Sequence, residues 1–246
     1  MSVVTVQNHD GGVTLISINR PERKNAICAD TAIGLQRAFA EFDASEQRVA
    51  VVTGAGNDAF SAGADVSKLP ELWRCIPTVG ITTEKPVIAA VGGWCVGGAL
   101  VLAMMCDLMV AAENAKFSYP EAKLGFTGGL IAGLAGRIPH KLAMEMMLLC
   151  RTVDAQRAYQ IGLINEVVPT GKQVEAAIEM GRELATFSPM VLKTLKRFVV
   201  QHVLAAGPSE GMARTSNALA MVRDSEDGQE GRRAFLEKRA PRFTGR

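Results

Sequence analysis

The sequence predicts a mixed α/β body followed by an all-helical C-terminal region. Three patterns lead there. Runs of β-branched and apolar residues, such as RVAVVTGAG (48–56) and KPVIAAVGG (85–93), read as buried strands that end in glycines. Such strands tend to pass through a Gly-containing turn into a helical pattern, which is the sequence form of an α/β protein, though not cleanly a dinucleotide-binding one. After about residue 138 helical periodicity takes over.

Taken in order, VVTVQNHDGGVTLISINR (3–20) reads as a β-hairpin turning at Asp10-Gly11-Gly12. In DTAIGLQRAFAEFDAS (30–45), Ile33, Leu35, Ala38, Phe39 and Phe42 recur at helical spacing, and Asp30 is the expected N-cap. The two strands quoted above follow. DLMVAAENAKFSY (107–119) supplies one or two more. PHKLAMEMMLLCRTV (139–153) and TVDAQRAYQIG (152–162) look helical, and LINEVVP (163–169) looks like a short strand. Four further helical stretches close the chain: 172–187, 189–204, 210–224 and 226–240. No internal repeat, long linker or low-complexity segment is visible.

Bulk properties narrow the function classes. The chain has 246 residues, 48% hydrophobic and 21% charged, as expected of an ordinary globular protein. A net charge of +2 gives no electrostatic case for nucleic acid or an anionic membrane, although the basic stretch from Arg232 to Arg246 permits a local phosphate contact. MSVVTVQNHDGG lacks the pattern of a signal peptide, and the longest apolar run, Ala99 to Met105, is far too short to span a bilayer. The cysteines (28, 75, 95, 106, 150) have no CxxC spacing, and His9, His140 and His202 have no metal spacing. Reduced thiols, a cytoplasmic location and no metal are therefore expected.

Two small-residue turns carry the chemical signal. In GNDAFSAGADVSKL (56–69) a strand runs into Ser61-Ala62-Gly63-Ala64-Asp65, where small residues let a ligand approach backbone N–H groups. Alone, this reads as a tight connection before a helix capped by Asp65, since small-residue loops are common. In GGWCVGGALVLAMMCD (92–107), Gly97-Gly98 falls at a helix start, where N–H groups lack partners. Alone, this reads equally as close helix packing. Together, two strand ends with Gly-containing turns can aim two N–H groups at one point, the layout of an oxyanion hole.

At this point a family resemblance emerges. FSAGADVSKL, KPVIAAVGGWCVGGALVLAMMCDLMVAAENAKFSYPEAKLG, AYQIGLINEVVP and GRRAFLEKRAPRFTGR resemble, in order, segments of the enoyl-CoA hydratase/isomerase (crotonase) family. The resemblance runs from VTLISINRPERKNAI to the C-terminus. It implies a crotonase-like spiral of β-β-α turns over residues 1–185 holding an acyl-CoA site, and a helical oligomerisation region over 186–246 that builds homotrimers or paired trimers. It implies an acyl-CoA thioester as substrate, with coenzyme A arriving as part of it and no separate cofactor. The thioester oxygen would be held by the N–H groups of Ala62 and Gly98. Gly63, Ala64 and Asp65 would lie along the CoA adenine and pantetheine. RPERKNAI resembles the N-terminal CoA-contacting segment, which makes Arg23, Lys24 and Ala26 candidates; solvated surface charge is the alternative for the first two. FLEK makes Phe235 and Lys238 candidates, in some members from a neighbouring subunit.

Family hydratases typically carry two glutamates. One is matched by Glu121 in FSYPEAKLG, expected to enter an apolar pocket where burial raises its pKa for proton shuttling. The other position falls on Val101, which can neither transfer a proton nor hold a water. A single carboxylate can still take a proton from Cα and return it at Cγ, so the resemblance leans to double-bond isomerisation. Hydration of altered specificity, thioester or C–C hydrolysis, dehalogenation and non-catalytic acyl-CoA binding remain as alternatives. LGFTGGLIAG (124–133) is shorter than the family's usual loop and lacks its proline. Tyr119 is expected to orient Glu121 or the substrate, or simply to pack. Asp107 reads as a structural residue at a strand edge and Glu113 as exposed.

Overall fold

The computed structural model describes residues 2–204 and 206–246. The hairpin forms from β1 (Val4–His9) and β2 (Val13–Ile18), antiparallel from Val4↔Ile18 to His9↔Val13. Gly11 and Gly12 both take positive φ at its turn. Helix α1 (Ala29–Ala44) follows, with Cys28 rather than Asp30 at its N-cap. Asp30 instead lies in the first helical turn.

From β3 onward the chain winds as a spiral. β3 (Val49–Gly54), β5 (Val87–Val91), β7 (Leu108–Ala112) and β10 (Glu166–Val168) join the hairpin in a large sheet of order β1-β2-β3-β5-β7-β10. After each of β3, β5 and β7 the next strand, β4 (Ala59–Ser61), β6 (Trp94–Val96) or β8 (Lys116–Ser118), enters a smaller sheet. Two short elements complete the sheets: β9 (Val153–Asp154) on the small one and β10 (Glu166–Val168) on the large one. The expected β-β-α spiral is thus what the strand order shows.

Both faces of the large sheet are buried, which is why its strands read as unbroken apolar runs. On β3 and β5, Val49, Val51, Ile88 and Ala90 face α6 (Gln173–Ala185), while Ala50, Val52, Ala89 and Val91 face the main core with α1. The period of two sorts the residues between the faces. Four short or medium helices intervene: α2 (Gly98–Met104), α3 (Glu121–Leu124), α4 (His140–Leu148) and α5 (Ala155–Gln160). α7 (Pro189–Phe198), α8 (Pro208–Asp224) and α9 (Glu226–Glu237) form the C-terminal region. Asp107 ties α7 to the body: its Oδ2 accepts from the Val87 N–H and from Lys196 Nζ, both at 2.7 Å. Glu113 is exposed.

The loop before α1 is locked by Asn25, which is 1% exposed and has φ +55°. Its Oδ1 accepts from the Arg20 N–H at 3.0 Å, and its Nδ2 donates to the carbonyls of Ala55 and Ala59. A buried amide with all these bonds leaves orphaned groups when removed, and alanine resists the left-handed backbone. Asn25→Ala is therefore expected to lower unfolding free energy by about 2–4 kcal/mol, measured by urea denaturation.

Candidate active site

Strands β4, β6 and β8 are adjacent and mutually parallel, paired Ser61↔Cys95 and Val96↔Ser118. Their C-terminal ends therefore emerge together at one edge of the small sheet. The three connections that leave this edge are Ala62-Gly63-Ala64, Gly97-Gly98 and Tyr119-Pro120-Glu121, and all of them line one cavity of about 530 Å³; Asp65, next in the chain, does not. That is the size of a small-molecule site.

The first connection is fastened to the 20–27 loop. The Ile27 N–H donates to the Gly63 carbonyl, the Asp65 N–H donates to the Ile27 carbonyl, and Arg20 lies 3.6 Å from Asp65. In this parallel bridge the two bonds flank Ala64, whose own N–H turns away from Ile27. The N–H of Ala62, expected to hold the thioester oxygen, instead donates to the Lys24 carbonyl at 2.9 Å. It is not available to a ligand, because it is one of the bonds that shape the wall. Among the described residues the N–H of Ala64 has no acceptor, so the uncommitted N–H of this wall lies two residues beyond Ala62. Asp65 begins no helix; its Oδ1 accepts from the Ser67 N–H and hydroxyl.

The second connection depends on Gly97, at φ +57° and ψ −120°, a conformation closed to residues with a Cβ. A Cβ there would also lie 2.5 Å from Glu121 Oε1. Gly97 donates to the Ser118 carbonyl, and Gly98 then opens α2 with an N–H that has no intrahelical partner. A Cβ on Gly63 would come within 2.6 Å of the Val96 carbonyl oxygen and 3.4 Å of the Gly98 nitrogen, so the first two connections touch through glycines. Val101 lies one helical turn further on, 2% exposed and lining the cavity. It makes an apolar wall there.

Glu121 opens α3, 7% exposed, with Oε2 buried and without a hydrogen-bond partner. Burial pushes its carboxyl up to about 7. One other carboxylate lines the cavity, Glu71, and it is half exposed and bonded to Arg74. Tyr119 is buried, and its hydroxyl pairs with Thr127 Oγ1 at 2.8 Å rather than with Glu121. This bond fastens Tyr119 to the 124–133 loop.

The other predicted residues take peripheral places. Arg23 and Lys24 are exposed, and Ala26 accepts from Arg20; all three sit behind the Ala62–Asp65 wall rather than in the cavity. Phe235 is 84% exposed on α9 and Lys238 ends that helix; within the single chain neither reaches the cavity. Sequence reasoning missed a whole wall. Ser209, Met212, Ala213 and Ser216 of α8 line the cavity, as do Leu72 and Trp73 of a 3-10 turn (Leu72–Cys75). The spacing of 209, 212, 213 and 216 is that of one helix face, which was a readable signal without an address.

The raised pKa has a stability consequence. The folded state holds the Glu121 proton more tightly than the unfolded chain, so stability falls as pH rises from about 4.5 to about 7 and is flat above. Glu121→Gln is expected to be more stable than the natural protein at pH 8 by about 2–3 kcal/mol, with the gap closing near pH 4.5, as read by urea unfolding at both values.

Comparison with known proteins agrees with this geometry. The sequence profile of the enoyl-CoA hydratase/isomerase family matches residues 8–246. The (E)-benzylidenesuccinyl-CoA hydratase of Thauera aromatica is 33% identical over 98% of this chain and 97% of its own length. The carnitinyl-CoA dehydratase of Salmonella typhi is 35% identical over 96% and 97%. The crystal structure of an enoyl-CoA hydratase from Mycobacterium tuberculosis H37Rv superposes over 100% of both chains with a TM-score of 0.76 at 32% identity. With its crotonase fold and a family match over nearly its whole length, the chain belongs to the enoyl-CoA hydratase/isomerase family.

Proposed function

We propose that the protein forms a thioester enolate from an acyl-CoA, with Glu121 as its single acid/base. The observation behind this reading is the buried Glu121 carboxyl, unpartnered at Oε2, in a cavity also lined by the uncommitted N–H groups of Ala64 and Gly98. Those two N–H groups would hold the thioester oxygen as negative charge develops, a contribution of about 3–4 kcal/mol per donor in comparable sites. The reaction that needs least beyond this is migration of a double bond between the 3- and 2-positions. Glu121 takes a proton from Cα, the dienolate rests against the two N–H groups, and the same proton returns at Cγ. Val101 fits this reading, because an apolar wall offers no grip to a water that would compete for the intermediate.

Hydration or dehydration is the second reading. It is favoured by the names of the relatives and by the hydroxyl pair of Tyr119 and Thr127 on the cavity rim. The coenzyme A moiety would run along the Ala62–Asp65 wall, with Arg23 and Lys24 near its phosphates. We also propose a homotrimer or a pair of trimers. The reason is the apolar surface of α7 and the turn beyond it, where Met190 is 77% and Val203 72% exposed. Surfaces of this kind mark interfaces.

Incubation with 3-enoyl-CoA and 2-enoyl-CoA, followed by absorbance and product mass, separates the readings. Isomer without water addition is expected; release of free CoA would point to thioester hydrolysis and overturn the assignment. Glu121→Gln should lower kcat by about 100- to 10,000-fold with the protein still folded. Because the carboxylate is the active form in the first step, kcat/KM should rise about tenfold per pH unit below about 7 and level off above it. Light scattering should give a trimer or hexamer mass, and a charge at Leu195 or Phe198 should lower it.

A further inference from the structure

We propose that helix α8 is a yielding wall of the acyl cavity, and that Glu210, on another face of this helix, sets the length of acyl chain the cavity accepts. Glu210 is on this account a positioning residue that touches no substrate. The proposal rests on the acyl-CoA reading. It narrows the substrate class of the same site to apolar acyl groups, because Leu72, Trp73, Val101, Leu130, Met212 and Ala213 surround the cavity.

Two faces of α8 border two different cavities. Ser209, Met212, Ala213 and Ser216 line the one that holds Glu121, whereas Glu210 and Arg214 line a second cavity of about 570 Å³. The second cavity lies between α8, α7 and the body, with Leu163, Leu192 and Val200 in its walls. A wall backed by close-packed side chains cannot give, but a wall backed by unfilled space can. The two ends of α8 are also held differently. Toward its C-terminus, Asn217 Nδ2 donates to the Val79 carbonyl at 3.2 Å and Asp224 pairs with Arg74 at 3.4 Å. Its N-cap is Gly207, where an added Cβ would meet nothing within 4 Å. The first turn can therefore swing about a fixed far end.

The first turn is held by the segment from Gly129 to Arg137. A Cβ on Gly129 would overlap the Ser209 hydroxyl, and one on Gly133 would come within 2.7 Å of Arg137 Nη1 and 2.9 Å of Glu210 Oε1. Arg137 Nη1 donates to the Gly133 carbonyl at 2.7 Å. Glu210, 5% exposed, thus sits between Arg137 and Arg214, whose Nη2 lies 3.9 Å from its Oε2. Burial depresses the Arg137 pKa and the charge of Glu210 opposes this, so the two groups sense each other. Among the described residues, however, Glu210 Oε1 and Arg214 Nε are buried without a hydrogen-bond partner. Charge attraction holds the helix without the directional lock of a hydrogen bond. Leu130 belongs to the same segment and lines the acyl cavity, so this joint sets how far the Met212 wall stands from the Leu130 wall. A longer chain would press the first turn toward the second cavity, against the pull of the two arginines on Glu210.

The test measures the affinities of butyryl-CoA, octanoyl-CoA and dodecanoyl-CoA by calorimetry; these saturated esters have no double bond to move. In the natural protein, affinity is expected to rise from the butyryl to the octanoyl ester and to rise no further at the dodecanoyl ester. Glu210→Ala should tighten dodecanoyl-CoA about tenfold relative to butyryl-CoA, the effect of burying about two more methylenes. Glu210→Gln, which keeps the shape and loses the charge, should fall between. Gly136→Phe should shift the ratio the other way, because Gly136 lines the second cavity at a point where an added Cβ meets nothing within 4 Å. Thermal melts check the fold of each variant; should Glu210→Ala not fold, Glu210→Gln and Gly136→Phe decide the outcome. An affinity that keeps rising through dodecanoyl-CoA in the natural protein overturns the proposal. So does an unchanged dodecanoyl-to-butyryl ratio in the folded variants, or equal weakening of both esters; each leaves the acyl-CoA reading standing. Failure of all three esters to bind overturns that reading and the proposal together.

Discussion

The parallel pairing of β4, β6 and β8 is the constraint from which the site follows. Parallel strands must end at the same edge, so three connections far apart in the chain are delivered to one place. Each connection then brings a different group: a backbone N–H at Ala64, another at Gly98, and a carboxyl at Glu121. Register adds precision. Gly97 continues the β6–β8 ladder by donating to Ser118, so the turn that opens α2 and the turn that carries Glu121 are separated by one backbone hydrogen bond. The large sheet, buried on both faces, serves mainly to hold this smaller one in place.

Glycine at 97 links backbone geometry to acid strength. Its missing Cβ is the space that Glu121 Oε1 occupies, and that close backbone contact helps to take the carboxyl out of water. Desolvation is the leading cause of the raised pKa, and nothing in the pocket offsets it with a positive charge. The same burial that suits the carboxyl to proton transfer near neutral pH works against folding once it ionises. The strain is accepted at a functional group and compensated elsewhere by the buried core.

The C-terminal region is part of the site and not an appendage to it. α8 supplies a cavity wall, and several polar contacts hold it to the body. Arg74 bonds to Glu71 and Asp224, while Gln36 bonds to Asn217, whose Nδ2 donates to the Val79 carbonyl. Residues as far apart in the chain as Gln36 and Asp224 therefore help to hold the walls of the same cavity. α7, α8 and α9 all leave large apolar side chains exposed, among them Met190, Met221 and Phe235.

Most secondary structure was legible in the sequence, because a sheet buried on both faces leaves unbroken apolar runs and amphipathic helices leave a stripe. The motifs also located Gly98, Val101 and Glu121 in the cavity wall. What the sequence could not decide was which of several neighbouring N–H groups is free. Ala62 and Ala64 are alike as residues, and only the bond from Ala62 to the Lys24 carbonyl and the bridge of Ala64 with Ile27 distinguish them. Nor could it show that Tyr119 turns to Thr127 instead of Glu121, or that α8 closes its own chain's cavity. The sequence by itself determined the elements and the residue types offered to the chemistry, since these follow from local patterns. The tertiary structure alone decided which backbone and side-chain groups remain uncommitted, because hydrogen bonds between distant segments settle that.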